Sequence, residues 1–276
     1  MRNIKLTIEY DGTAYHGWQS QVNAAAIQDV VGAAVNRLTE EACTLYGSSR
    51  TDAGVHAYGQ VANFRTASGI PADKFAFALN TLLPQDIAVV KSEEADPDFH
   101  ARFSARGKKY RYLYYNSVFP SALLRNRAWH VYHPLDGEAM REASRHLLGT
   151  HDFLAFSASG SSVKTTVRTL SSISMHIHGD GSHVCEIQEN RPRVWVEDPP
   201  MAGISGQGTC PRVLSLEVEG DGFLYNMVRI IAGTLAEVGY GRIKPEAIPD
   251  ILESRDRKRT GLTAPPQGLY LMEVRY

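Results

Sequence analysis

The sequence predicts an α+β fold made of two halves with the same order of elements. Three observations carry this expectation. Segments that alternate polar and apolar residues at period 2, the strand signature, are interleaved with segments whose apolar residues recur at helical spacing. The order strand, helix, strand, strand, helix, strand is read once before about residue 105 and again after it. The composition is that of an ordinary globular chain, with 276 residues, 43% hydrophobic and 21% charged, which excludes disordered and fibrous classes. A chain of this length has ample core for one large or two ordinary domains.

In the first half, residues 4–10 (IKLTIEY) alternate and stop at Asp11-Gly12, a half-buried strand closed by a turn. From Ala25, the residues Ile27, Val30, Val31, Ala34, Val35 and Leu38 fall on one helical face that ends near Thr39. Strands follow at 43–49 (CTLYGSS) and 56–64 (HAYGQVANF), joined by RTDAGV. Pro71 opens a second helical stretch running to Leu83, Pro being harmless in a first turn where its missing N–H has no partner to lose. IAVVKS (87–92) closes the half. This β-α-β-β-α-β order is the ferredoxin-like arrangement.

The second half repeats it. A strand is expected at 109–115 (KYRYLYY), a helix from Gly137 to Leu148, and strands at 166–177 and 212–220. A long helix at 223–238, a short Pro-initiated helix at 245–254 and a strand at 269–276 complete the order. The expected domains are 1–105 and 106–276, two ferredoxin-like halves meeting edge to edge in one central antiparallel sheet, with a cleft between them as the place for a site. Residues 179–211, dense in Gly and Pro and carrying only the short strand-like pieces VCEIQ and RVWVE, read as an inserted hairpin and loop to which the sequence assigns no function.

Lys and Arg number 29 against 30 Asp and Glu, a net charge of -1 that argues against a protein coating nucleic acid or membrane without specificity. Cys43, Cys185 and Cys210 make an odd count without C-x-x-C spacing, so no disulfide framework or zinc cluster is signalled. The N-terminus lacks the apolar core of a signal peptide, and no stretch approaches the roughly 18 apolar residues of a membrane span. The reading is a cytoplasmic protein.

The segment GSSRTDAGVHAYGQ (47–60) is the sharpest chemical feature. Gly47 and Gly54 frame a polar stretch able to approach a ligand, and Arg50 and Asp52, two apart, project to one side of an extended backbone. A neighbouring guanidinium keeps such an Asp ionised, which suits a nucleophile or base. The same spacing also fits an Arg/Asp pair that only pins a loop. Arg229 sits in the most apolar helix on a face with Gly222, Asn226 and Gly233, where an unpaired charge is costly. Its partner is either Asp52 across the cleft or a phosphate, and the other reading is an Arg that snorkels to solvent.

Local basicity is concentrated at 100–115, HARFSARGKKYRYLYY, with Arg102, Arg106, Lys108, Lys109 and Arg111 and no acid. In a strand, Tyr110, Tyr112 and Tyr114 share one face and Lys109 and Arg111 the other. Cations beside stackable rings suit RNA, phosphates giving affinity and rings receiving an unstacked base, although some of these tyrosines must pack inward as core. Arg255, Arg257, Lys258 and Arg259 form a further basic cluster that reads as a solvated helix end. His176, His178, His183 and Cys185 lack an established third ligand on one face, so no metal is expected. No phosphate loop, dinucleotide fingerprint or nucleophile elbow is present in its required context.

The blocks YDGTAYHGWQSQ (10–21), GSSRTDAGVHAYGQV (47–61), KKYRY (108–112), GFLYNMVR (222–229) and GLYL (268–271) resemble, in order and spacing, the tRNA pseudouridine synthase A family, across almost the whole chain. RTDAGVHA is highly specific. The resemblance implies two ferredoxin-like halves forming one antiparallel sheet, a homodimer, and isomerisation of uridines 38, 39 and 40 in the tRNA anticodon arm without cofactor or metal. By motif it assigns Asp52 as the catalytic aspartate and Arg50 as its loop neighbour. It makes Tyr110 the ring stacked on the target base, Arg229 the arginine paired with the aspartate, and Leu269 the apolar wall against the uracil. The 179–211 insertion departs from the family and bears on dimer contacts or the tRNA path.

The implied chemistry fits these residue types. An anionic group beside C1′ and C2′ stabilises positive charge or acts as nucleophile or base, as carboxylates do in glycosidases. The detached uracil stays captive on a flat partner behind an apolar wall. The target base first leaves its stack, at a cost of a few kcal/mol offset by phosphate contacts and stacking. Two other readings stand beside this one: a non-catalytic RNA-binding module in which Asp52 is structural, and a carboxylate-dependent nucleoside hydrolase, which needs a second acid for which the sequence offers no candidate.

Overall fold

A computed structural model describes residues 1–160, 163–178 and 212–276. Its strands are β1 (Arg2–Tyr10), β2 (Tyr46–Gly47), β3 (His56–Thr66), β4 (Ile87–Ala95), β5 (Gly107–Asn116), β6 (Trp129–Val131), β7 (Gly149–Asp152), β8 (Val167–His178), β9 (Arg212–Gly220) and β10 (Leu269–Arg275). Its α-helices are α1 (Ile27–Thr39), α2 (Phe75–Asn80), α3 (Gly137–Arg145), α4 (Met227–Gly239) and α5 (Ile248–Ser254). The strands form one sheet in the order β4, β1, β3, β10, β5, β9, β8, β7, with β2 added to β3 and β6 to β5.

The α+β class is as expected, but the sheet is mixed. β10 runs antiparallel to β5 and parallel to β3, with Tyr270 opposite His56 and Leu271 opposite Ala57, and β6 is parallel to β5. The expectation of a wholly antiparallel sheet is corrected where β10 meets β3 and where β6 meets β5. The pairing matches faces: Leu271 and Ala57 enter the main core, while the rings of Tyr270 and His56 stack at 4.8 Å.

One contiguous core runs along the sheet beneath the helices. Ile27, Val31, Ala34 and Val35 of α1 point into it at helical spacing, and α1 stops at Glu40, whose φ of 57° ends the repeat. Asp136 caps α3 by accepting from the N–H groups of Glu138 and Ala139. β5 is buried on both sides: Tyr110, Tyr112 and Tyr114 join the main core, and Leu113 and Tyr115 join a smaller cluster with Ala128, Val213 and Tyr270. Burying one strand's odd and even positions in two different clusters is what period-2 alternation permits in the middle of a sheet.

Two boundaries differ most from the sequence reading. The strand expected at 43–49 shrinks to Tyr46–Gly47, which pair with Asn63 and Ala62 of β3 before the chain enters the loop that carries Asp52. The helix expected from 223 begins at Met227, after Asn226 in the left-handed region (φ 59°). β6 and β7 are too short to show a period. The expected inserted segment 179–211, with His183, Cys185 and Cys210, lies outside the described residues. Among those described, no helix is long and apolar enough to cross a membrane.

Candidate active site

Asp52 stands on the loop between β2 and β3, and this loop is held by the block at 10–18. Trp18 N–H donates to the Thr51 carbonyl at 3.2 Å, Gly54 N–H to the Tyr15 carbonyl at 3.2 Å, and Val55 N–H to the Asp52 carbonyl at 3.2 Å. Tyr10 Oη and Thr51 Oγ1 are 2.8 Å apart, and Gln60 Nε2 donates to the Ser49 carbonyl at 2.9 Å. A loop with this many backbone anchors presents its side chains without having to order on binding. Gly54 turns the chain at φ +77°, where a Cβ would meet Pro266 Cγ at 3.1 Å, so the loop abuts the segment that enters β10. Gly47 is needed for a different reason from the one its sequence suggested. A Cβ there would lie 2.2 Å from Trp18 Nε1, so the close approach is to Trp18.

Arg229 of α4 reaches the loop. Its Nη1 donates to Asp52 Oδ2 at 3.0 Å and to Asn226 Oδ1 at 2.9 Å, and its Nε donates to the Ala264 carbonyl at 2.7 Å. The pair is mostly sheltered, the two side chains being 15% and 29% exposed. The snorkelling alternative is thereby excluded, and the guanidinium oriented on Asp52 is Arg229. Arg50 is exposed, and its guanidinium makes no ion pair or hydrogen bond among the described residues, so the local Arg50/Asp52 pair that the spacing suggested is not formed. Small residues along α4 do the work anticipated for them: a Cβ on Gly233 would fall 1.8 Å from the Leu262 carbonyl oxygen. That contact lets the 260–264 segment lie directly on the helix and bring the Ala264 carbonyl to Arg229.

Tyr110 is 7% exposed. Its hydroxyl lies 3.2 Å from Ser49 Oγ, and its ring meets Phe223 edge-on at 4.9 Å. Burial, and then the nearby charge of Asp52, raise its phenol to about 12, against the relief given by Ser49. The hydroxyl is therefore a fixed hydrogen-bonding group at neutral pH. Leu269 is 6% exposed and pairs with Tyr112 at the start of β10, directly after the segment that touches the loop. The other two tyrosines of the alternating set are core: Tyr112 Oη donates to the Pro265 carbonyl at 2.8 Å and Tyr114 Oη to the Ala232 carbonyl at 2.9 Å.

The basic stretch divides. Lys109 and Arg111 are each 2.5 Å from Glu217, an acid supplied by the neighbouring strand β9. Burial alone would raise Glu217, yet hydrogen bonds from Lys109 and Arg111 hold it below the ordinary carboxylate range. Lys109 thus has a partner within the protein, one that it shares with Arg111, which weakens its expected assignment to the RNA backbone. The sequence concealed this because the acid is more than a hundred residues away. Lys108 faces the other way, donating to Ser49 Oγ at 3.2 Å. Burial and then the charge of Arg102 lower its ammonium to about 8. Arg102 and Arg106 are exposed.

The second basic cluster is structural. Arg257 donates to Thr260 Oγ1, the Gly261 carbonyl and Thr263 Oγ1 at 2.6, 2.8 and 3.1 Å, bracing the same segment that fixes Arg229. Arg255 pairs with Asp152 at 2.8 Å. His176 and His178 stack at 6.3 Å on one side of β8. A separate cavity of about 290 Å³ is lined by Glu9, Tyr10, Asp11, His56, Arg127 and Tyr270 among others, and its lining includes none of Asp52, Arg229, Tyr110 and Leu269. Sequence reasoning gives no role to Ser49 or Phe223, and it places Asn226 on the face of Arg229 without making it a partner.

Comparison with known proteins gives the family. A family model described as tRNA pseudouridine synthase matches residues 6–104 and 143–276. A protein of Acetivibrio thermocellus named tRNA pseudouridine synthase A is 54% identical over 276 residues, covering all of both chains. Proteins of the same name from Ruminiclostridium cellulolyticum and a Thermoanaerobacter species are 48% and 45% identical, again over the full length of both chains. An oriented carboxylate beside a buried ring, in a chain that matches end to end, places this protein among the isomerases of the tRNA pseudouridine synthase family.

Proposed function

We propose that this enzyme converts uridines 38, 39 and 40 of the tRNA anticodon arm to pseudouridine, with Asp52 as its catalytic residue. The N1–C1′ bond breaks, the uracil turns, and a C5–C1′ bond forms; C5 loses its proton and N1 gains one. Every heavy atom is kept, so the reaction calls on no redox carrier or phosphate donor. The observation that carries the reading is the Asp52–Arg229 pair at 3.0 Å, set beside a ring whose hydroxyl is tied to the same loop.

The residues divide the work. Arg229 and Asn226 aim the Asp52 carboxylate at the sugar of the extruded nucleotide, where orientation alone is worth several powers of ten in rate. Tyr110 stacks on the uracil and Leu269 closes the apolar side, keeping the detached base captive and water away. Arg50, exposed on the catalytic loop and without an ion-pair partner among the described residues, takes a phosphate of the substrate. Arg102, Arg106 and Lys108 hold the backbone on the approach to the site.

The architecture follows the same reading. In the second half, the order β10, β5, β9, β8 is the 4-1-3-2 order of a ferredoxin-like unit. In the first, β4, β1, β3 and the short β2 follow the same order, supporting halves at 1–105 and 106–276. A cytoplasmic homodimer acting on tRNA completes the proposal. The test uses unmodified tRNA carrying tritium at uridine C5, incubated with the purified enzyme in buffer free of metal and nucleotide. Tritium release with pseudouridine mapped to positions 38–40 supports the reading. Pseudouridine only elsewhere, or release of free uracil, contradicts it.

A further inference from the structure

We propose that Tyr46, His100 and Phe103, flanked by Arg102, form a stacking site for an unpaired nucleotide of the RNA, outside the pocket that takes the target base. The proposal rests on the RNA-modifying reading above and adds a second point at which the substrate is held. The three rings run in series, Tyr46 to His100 at 4.9 Å and His100 to Phe103 at 4.4 Å between centroids. The Arg102 guanidinium sits 5.7 Å from the Phe103 centroid. The outer rings are open to solvent, Phe103 at 77% and Tyr46 at 43%.

This surface is built and held. Asn3 Nδ2 donates to the carbonyls of Asp96 and Phe99, both at 2.9 Å. Asn63 Oδ1 accepts from Ala101 N–H at 2.8 Å, and Tyr276 Oη donates to the Ala101 carbonyl at 2.9 Å. Both asparagines are buried, each 3% exposed. Within the loop, Arg102 N–H donates to His100 Nδ1 at 3.1 Å, which fixes the orientation of the middle ring. Buried polar anchors thus hold a large apolar ring in water beside a cation, an arrangement that folding alone does not require.

The occupant follows from the chemistry. Flat ring faces next to a guanidinium match a base joined to a phosphate, and rigid presentation removes the ordering cost of binding. The site is continuous with the catalytic loop: Tyr46 leads into Ser48 and Ser49, and the charge of Arg102 is felt at Lys108, which donates to Ser49 Oγ at 3.2 Å. A narrow, cationic strip of this kind does not offer the broad apolar area of a protein interface.

Phe103→Ala and Tyr46→Ala in the full-length chain, assayed for pseudouridine on unmodified tRNA, test it. Stacking on one ring is worth roughly five- to a hundredfold in affinity, so each variant is expected to raise KM by about tenfold while kcat changes less than about twofold. Phe103→Trp is expected to keep the wild-type KM, and its fluorescence to be quenched on adding tRNA. Unchanged KM in both alanine variants, or a Phe103→Trp signal indifferent to tRNA, overturns the stacking site while leaving the reading of Asp52 in place. A wild-type enzyme that makes no pseudouridine overturns that reading instead.

Discussion

Arg229 Nη1 lies 3.0 Å from Asp52 Oδ2, so the carboxylate of the loop between β2 and β3 is aimed by a guanidinium rooted in α4. The same guanidinium is fixed by Asn226 and by the Ala264 carbonyl. Three hydrogen bonds in different directions need a planar fork, which lysine does not have. Arg229→Ala and Arg229→Lys are both expected to lower kcat by about a hundredfold, with tRNA binding retained. Single-turnover rates beside binding isotherms measure this; a lysine variant of wild-type rate would show that charge alone suffices.

The hydroxyl of Tyr110 is held by Ser49 and stays protonated up to about pH 12 because the ring is buried and Asp52 is near. Its contribution is therefore one hydrogen bond, about 0.5–1.5 kcal/mol, and no basic limb from this group is expected in the pH–rate profile. Tyr110→Phe should lose about tenfold or less in rate, and Tyr110→Leu, which removes the flat surface, considerably more. Equal losses in the two variants would point to a chemical role for the hydroxyl.

Gly233 has no room for a side chain, since a Cβ would lie 1.8 Å from the Leu262 carbonyl oxygen. Gly233→Ala is expected to push the 260–264 segment from α4 at a cost of about 1–3 kcal/mol. For a chain of this size, each kcal/mol lowers Tm by about 2–4 °C. Because that segment carries the carbonyl that holds Arg229, kcat should fall as well. A variant with lowered Tm and undiminished kcat would separate the segment from catalysis.

Lys108 and Lys109 are neighbours with opposite expectations. Lys109 is paired with Glu217 at 2.5 Å, while Lys108 donates to the Ser49 hydroxyl and has no carboxylate partner among the described residues. Lys108→Ala should lower the salt dependence of tRNA binding by about one unit in the log–log slope, and Lys109→Ala by much less. The Lys108 ammonium, lowered to about 8 by burial and then by Arg102, is present below that pH and lost above it. Wild-type affinity should accordingly decline between about pH 7 and 9, and that of Lys108→Arg should not. Folding stability has the opposite sign over pH 8 to 10.5, rising because the unfolded chain holds a proton that the fold has released.

Much of this was legible in the chain itself. The long strands and α1 were visible because each buries one face and so imposes a period on its residues. Asp52, Tyr110, Arg229 and Leu269 stood out through the family blocks and the cost of a charge in an apolar helix. What could not be read was pairing across strands. Glu217 pairs with Lys109 from a neighbouring strand, and Arg50, two residues from Asp52, yields its anticipated partner to Arg229 of α4. The parallel seam was hidden too, since periodicity gives a strand's faces and not its neighbour. The late start of α4 follows from the left-handed Asn226, a backbone choice that frees Phe223 for Tyr110.

The most direct test of the account is Asp52→Asn, which keeps the shape of the side chain and its contact with Arg229 while removing the charge. Tritium release from C5-labelled unmodified tRNA should fall to background while the variant still binds that tRNA within a few-fold of wild type. Product formed at the wild-type rate would contradict the claim that this carboxylate performs the chemistry.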